Sequence, residues 1–385
     1  MKLTREEKYL CDILSDVAPT TKSEAIRLFR SYLASTEAFS LAKSNQVASL
    51  VAHVLFDSFG ESKVSPHWQE AHRETYQRIS SYLSELDRIA VILAKEGIPL
   101  VALKNSGIAR GMYPCPGCCP MGDIDVLVER CHFYQAHQIL VNEGYELSFK
   151  PPYKEANFNV SEANGVAEYS KLLSSGESLW FEMHWRPVTG RWIRPDQEPS
   201  AEELLSRSTP IPGTAARLLA PEDNLLQVAL HTAKHSYVRA PGFRLHTDVD
   251  RIVRRQPIDW EVFLARVQAL QVKTPVYFSL VIPKELFGTP IPEAVLKTLR
   301  PARWKYALIT SMINRAGLFN PDERKFGKLS YILFSALLYD DLTGLIRAIF
   351  PGKLWMRERY SVKNNFMLPI IYLQRLVDLT FRRAI

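Results

Sequence analysis

The sequence predicts an α+β fold, a small mixed β-sheet flanked by helical regions on its N-terminal and C-terminal sides. Apolar residues recur at helical spacing before residue 95. Short apolar and β-branched runs then cluster between 98 and 186, and helical patterning returns beyond a proline-marked stretch. Strands and helices do not alternate one for one, which separates this pattern from repeating βαβ units. At 385 residues the chain is long enough for two compact units, and 46% hydrophobic content is ordinary for a globular protein.

Residues 25–33 and 79–93 read as amphipathic helices. The second ends at Gly97, a natural C-cap, and feeds the buried-strand run Ile98-Pro-Leu-Val-Ala-Leu103. Lys104-Asn-Ser-Gly107 follows directly. Gly107 is read as supplying backbone freedom, and Asn105 or Ser106 as capping a helix that starts at Ile108. A strand running into such a turn is where phosphate oxygens meet free N–H groups, and Lys104 adds a positive charge. A helix over 132–142 separates the next strand from one at 145–149. Residues 153–186 read as two or three antiparallel strands with a turn around 174–176. Five prolines (187, 195, 199, 210 and 212) mark an irregular crossing. Helices then continue to residue 385, the first opening at Pro221 with Glu222 and Asp223 suited to the helix dipole. The expected organisation is a helical region over 1–95, a core over 96–190, the crossing over 191–215 and a helical domain over 216–385.

The chemistry concentrates in Met121-Gly-Asp-Ile-Asp-Val-Leu-Val128. A strand has a side-chain period of two, so Asp123 and Asp125 share one face and Ile124, Val126 and Val128 the other. Adjacent acids repel unless a cation sits between them, and hard Mg²⁺ or Mn²⁺ takes carboxylate oxygens together with substrate phosphates. A third acid, Glu182, shares a strand face with His184 in Leu179-Trp-Phe-Glu-Met-His-Trp185, where burial without a pair or a metal is costly. His231 and His235 are one helical turn apart. They read as a packed helix face, a zinc pair or a substrate contact, and Arg244 and Asp248 on the next helix would line the same cleft.

A formal charge of +7 permits an acidic partner without requiring one, and the basic runs near the C-terminal end read as solvated helix faces. The first residues lack the apolar core of a signal peptide, and the apolar stretch 331–350 is interrupted by Asp340, Asp341 and Arg347, so no membrane span is expected. Five cysteines in such a chain imply reduced thiols and a cytoplasmic location. Cys115, Cys118 and Cys119 with Cys131-His132 suggest a zinc reading, since Cys-x-x-Cys is the usual spacing of one half of such a site, but the adjacent Cys131 and His132 fit the second-half spacing poorly. A reduced, solvent-near loop is therefore expected.

Gly97-Ile-Pro-Leu-Val-Ala-Leu-Lys104, Tyr113-Pro, Met121 to Val128 and Glu182-Met-His-Trp185 resemble the bacterial "uncharacterised nucleotidyltransferase" family of the polymerase-β-like superfamily. The likeness continues through Pro221-Glu-Asp, His231, His235, Asp248 and Ile258-Asp-Trp260, covering roughly 80–290, with Gly-Asp-Ile-Asp its most specific part. It implies that Asp123, Asp125 and Glu182 bind metal and that Lys104, Asn105, Ser106, Gly107 and Gly122 lie at the phosphates of a nucleoside triphosphate. Two positions depart from the family pattern: Asn105 stands where glycine follows the lysine, and Cys119 where an arginine precedes the first aspartate. The implied activity is transfer of a nucleoside monophosphate to a hydroxyl acceptor with release of pyrophosphate. The rival readings are a catalytically degenerate nucleotide-binding module and an RNA end-modifying enzyme, the latter marked by steep salt dependence of RNA binding.

Overall fold

The computed structural model describes residues 2–15, 36–148, 158, 165–173, 176–186, 192–193, 197–353, 356–357, 360 and 365–377. The helix read over 25–33 lies outside them. The first helices are α1 (Arg5–Leu14), α2 (Thr36–Ser44), α3 (Ala48–Phe59) and α4 (Pro66–Lys95). A Thr4/Glu7 capping box opens α1, and proline in the first turn opens α4. The buried stripe Ile79, Tyr82, Leu83, Leu86, Ile89, Ala90 and Leu93 turns α4 towards the core. Gly97, at φ 74°, releases the chain into the sheet.

Among the described residues seven strands follow: β1 (Val101–Leu103), β2 (Ile124–Leu127), β3 (Glu146–Leu147), β4 (Val166–Leu172), β5 (Ser178–His184), β6 (Thr209–Pro210) and β7 (Arg217–Leu218). Their spatial order is β3-β4-β5-β2-β1-β7-β6. β1 pairs antiparallel with β2 and parallel with β7, while β2 runs parallel to β5, so the sheet is mixed. The expected α+β architecture is the observed one. Over its described residues 197–215 the crossing holds regular structure that its prolines did not suggest. Its Ser200/Glu203 capping box starts a helix over Ala201–Arg207, and β6 and β7 complete the sheet edge.

The two faces of the sheet differ in depth. Ala102, Ile124, Val126, Leu179, Phe181 and Met183 enter the main core with the stripe of α4. Burying each of the larger side chains contributes roughly 1.5–3 kcal/mol. On the opposite face the described residues form a small cluster, in which Val101, Leu103 and Leu127 meet Ala201, Leu204, Leu205 and Leu219. Alternation along β2 and β5 puts Asp125, Glu182 and His184 on this thinner side.

The turn after β1 differs from expectation. A short α5 (Lys104–Ile108) begins at Lys104 itself, without a side-chain cap, so Asn105 and Ser106 lie inside it. Helix α6 (Phe133–Asn142) and α7 (Ala201–Arg207) follow. The C-terminal helices begin with α8 (Pro221–His235), buried along almost its whole length, and α9 (Arg244–Arg255). Glu222 and Asp223, placed by the dipole argument, also pair with Arg266. The stretch 331–350 is two helices separated at Asp340 and Asp341. Asp340 accepts the Lys273 and Thr274 amides, and Asp341 accepts that of Gly344. Among the described residues, no helix is long and apolar enough to cross a membrane.

Candidate active site

Strand register assembles the site. Asp125 of β2 stands beside Leu103 of β1 on one side and Glu182 of β5 on the other. The donor atoms of Asp125, Glu182 and His184 all lie within 4.8 Å of one another. His184 Nε2 is 3.1 Å from Asp125 Oδ1 and 3.7 Å from Glu182 Oε2. Lys104, one residue beyond β1, sends its Nζ to the same Asp125 Oδ1 at 2.6 Å.

These charges set one another's protonation. Burial would lower the Lys104 pKa, but Asp125, Glu182 and Asp123 outweigh it and hold the ammonium above its ordinary value. His184 follows the same logic. Burial lowers its pKa, hydrogen bonds to Asp125 and Glu182 raise it more, and the net direction is upward. Asp123 precedes β2 and is half-buried; its donor atoms are not part of the converging trio, and it acts on Lys104 through space. Gly122 beside it is exposed, with open space where a Cβ would stand.

The turn is locked to the acids. The Asp125 amide donates to Ser106 Oγ at 2.9 Å, and the Lys104 amide donates to Gln227 Oε1 of α8 at 3.2 Å. Lys104 itself carries the left-handed backbone, φ 49°, a strained state for a residue with a Cβ that costs roughly 1–2 kcal/mol. The sequence reading assigned conformational freedom to Gly107. The structure instead needs glycine there for space: a Cβ would meet the Ala102 carbonyl oxygen at 2.7 Å and Leu218 Cδ1 at 2.8 Å.

The C-terminal helices close over this turn. Asn105 Nδ2 donates to Asp248 Oδ2 at 3.3 Å and to Cys119 Sγ at 3.5 Å, so both departures from the family pattern belong to one buried contact. Tyr113 donates to Asp248 Oδ1 at 2.5 Å. Arg244 Nη1 reaches the Pro120 carbonyl at 3.1 Å and Asp248 Oδ2 at 3.4 Å, bringing a guanidinium beside position 119. His231 and His235 stack edge to face at 4.8 Å. Burial and the charges of Lys104, Lys234, Arg244 and Arg239 push His231 well below its ordinary pKa, and burial with His231 lowers His235, so both rings are neutral. Among the described residues, no further ligating side chain gathers with this pair into a metal-binding group.

Two participants, Glu168 and Gln227, are not singled out by the sequence. Glu168 of β4 stands opposite Glu182, signalled only by the alternation Val166, Glu168, Ser170 against Ala167, Tyr169. Gln227 has no local signal, because its partner Lys104 lies 123 residues away in sequence; Tyr113, part of the family resemblance, meets Asp248 135 residues further on.

A mixed sheet with acids on neighbouring strands beside a lysine-bearing turn defines a nucleotidyltransferase-type protein. The chain belongs to the family described as uncharacterised nucleotidyltransferase, which it matches over residues 34–288. No curated protein matches it. Among solved structures, an antigenic nucleotidyltransferase-like protein from Paracoccidioides brasiliensis is similar at 13% identity and a TM-score of 0.37, over 57% of this chain and 93% of that one.

Proposed function

We propose that this protein transfers a nucleoside monophosphate from a nucleoside triphosphate to a hydroxyl acceptor and releases pyrophosphate. The observation that carries this reading is the convergence of Asp125, Glu182 and His184 on the thinly covered sheet face, with Lys104 at its edge. Carboxylate oxygens suit a hard divalent ion, and Asp123, Asp125 and Glu182 would hold Mg²⁺ or Mn²⁺ with His184 beside them. When bound, such an ion neutralises phosphate charge and lowers the pKa of an acceptor hydroxyl.

The remaining chemistry belongs to the chain. Lys104, Lys234, Arg239 and Arg244 lie close enough to depress His231 and give the wall above the acids the sign a triphosphate requires. The neutral imidazoles of His231 and His235 can donate to or accept from substrate without adding charge. Ser106, bonded to the Asp125 amide, keeps the lysine turn and the acid strand in fixed relation, so donor and acceptor meet pre-oriented groups. Glu182 is the candidate general base for the acceptor hydroxyl.

Thermal melting with each of the four ribonucleoside triphosphates, with and without Mg²⁺, tests this directly. A ligand that binds only the folded state stabilises it by about 2.7 kcal/mol at a hundredfold excess over its Kd. A metal-dependent rise is expected in the wild type and not in Asp125→Asn. Turnover on any acceptor should fall on the order of a thousandfold in that variant, through loss of several kcal/mol of charge stabilisation. Equal shifts in both proteins would refute the assignment, a shift without turnover would favour a degenerate binding module, and no shift with any triphosphate would count against both readings.

A further inference from the structure

We propose a second metal centre, a structural zinc site made by His53, His72, Cys115 and Cys118, separate from the carboxylate site. The four come from different parts of the fold: His53 from α3, His72 from α4, and the two cysteines from the turn Cys115-Pro-Gly-Cys118. Their donor atoms all lie within 4.8 Å of one another. Cys115 Sγ is 3.3 Å from Cys118 Sγ, 3.4 Å from His72 Nε2 and 3.8 Å from His53 Nδ1.

Those spacings match the chemistry of one ion. Bonds of about 2.3 Å to sulfur and 2.0–2.1 Å to nitrogen at tetrahedral angles put donors roughly 3.3–3.8 Å apart. Two thiolates and two imidazoles form a soft-to-borderline set suited to zinc and unlike the oxygen donors on the sheet. Two features outside the donor set agree. His53 presents Nδ1 to the cluster while its Nε2 faces Asp57 Oδ2 at 3.5 Å, the carboxylate–histidine arrangement that fixes the tautomer of a metal-bound ring. Gly117, between the cysteines, leaves room for the His72 ring: a Cβ there would fall 2.5 Å from His72 Nε2.

By spacing alone Cys131-His132 is a poor second half for the Cys-x-x-Cys pair, and a solvent-near loop is expected. The structure corrects this, since Cys118 and Cys119 are buried and Cys115 is half-buried, while Cys131 is exposed and groups with Glu129 and His132 instead. Four protein donors leave no open coordination position, which makes the role structural. The ion would tie α3 and α4 to the loop that runs through Cys119 into the strand bearing Asp125.

The test is zinc content and Co²⁺ spectroscopy on the full chain, purified under reducing conditions without chelator. About one zinc per chain is expected, and Co²⁺ exchange should give the intense visible bands of a tetrahedral ion with thiolate charge transfer. Cys115→Ser/Cys118→Ser should lose the metal, Asp57→Asn should bind it about 10–100-fold more weakly, and Asp125→Asn should keep it. Wild-type protein that neither contains zinc nor takes up Co²⁺ in tetrahedral form overturns the proposal, whether or not the variants fold. Zinc retained by the double cysteine variant overturns it equally.

Discussion

Gly107→Ala separates two accounts of the lysine turn by the sign of its effect. Were the glycine present only by habit of composition, alanine would stabilise the short helix by about 1 kcal/mol. Space opposes this. The added methyl would sit 2.7 Å from the Ala102 carbonyl oxygen and 2.8 Å from Leu218 Cδ1, against the roughly 3.5–4.0 Å of ordinary carbon contacts. The oxygen belongs to β1, which is pinned between β2 and β7, so relief must come from moving α5 outward. Overpacking of this kind costs about 1–3 kcal/mol, and the backbone contact puts it at the upper end. The net is a loss of about 2 kcal/mol, or a melting temperature lower by roughly 2–3 °C at this chain length. Outward movement also loosens Ser106 from the Asp125 amide, so metal-dependent nucleotide stabilisation should weaken with it. Thermal scanning decides the matter: a variant that melts at or above the wild type refutes the steric account.

Two further substitutions probe the supports of the site. Glu85 on α4 accepts from Arg88, Lys171 and Tyr145; burial would raise its pKa, but these bonds bring it to about 2. A depressed carboxylate stabilises fully above its unfolded pKa of about 4.5 and loses that stability as pH falls towards 2. The shift bounds the effect at about 3 kcal/mol, less in practice because Arg88 is partly exposed and keeps Glu143. Glu85→Gln should therefore melt below the wild type at pH 7, with the gap falling to about half near pH 3; a gap independent of pH would contradict the pairing. Tyr113→Phe removes a buried donor from Asp248 and should cost about 1.5–3 kcal/mol in denaturant unfolding. An unchanged midpoint would show that Asn105 and Arg244 satisfy Asp248 alone.

The faces of Asp125 and Glu182 were legible because a strand displays its period in sequence, and the Lys104 turn sits one strand away; Asp123, read on the same face by that period, precedes β2 and stands outside the converging group. Helices α4 and α8 were equally plain from stripe and dipole. What could not be read was set by distance in the chain. His53 and His72 look like ordinary helical residues until folding carries Cys115 to them. Asn105, a misfit to the family pattern, becomes intelligible only once Asp248 and Cys119 stand beside it. The strain at Lys104 was invisible for a related reason, since a left-handed lysine is tolerated only where Gln227 and Asp125 hold it from two directions.

The parallel pairing of β1 with β7 has a consequence for synthesis. Val101 and Leu103 are buried apolar residues, and their strand is flanked on one side by residues 217–218. A nascent chain that has made β1 and β2 therefore carries an uncovered apolar strand edge for about ninety further residues, from Leu127 to Arg217, the kind of edge through which chains associate wrongly. Fragments that end before Leu218 inherit that edge permanently. The ribosome must release the crossing before the sheet can protect itself, so the timing of elongation, as much as the sequence, bears on how much of this protein reaches its native state.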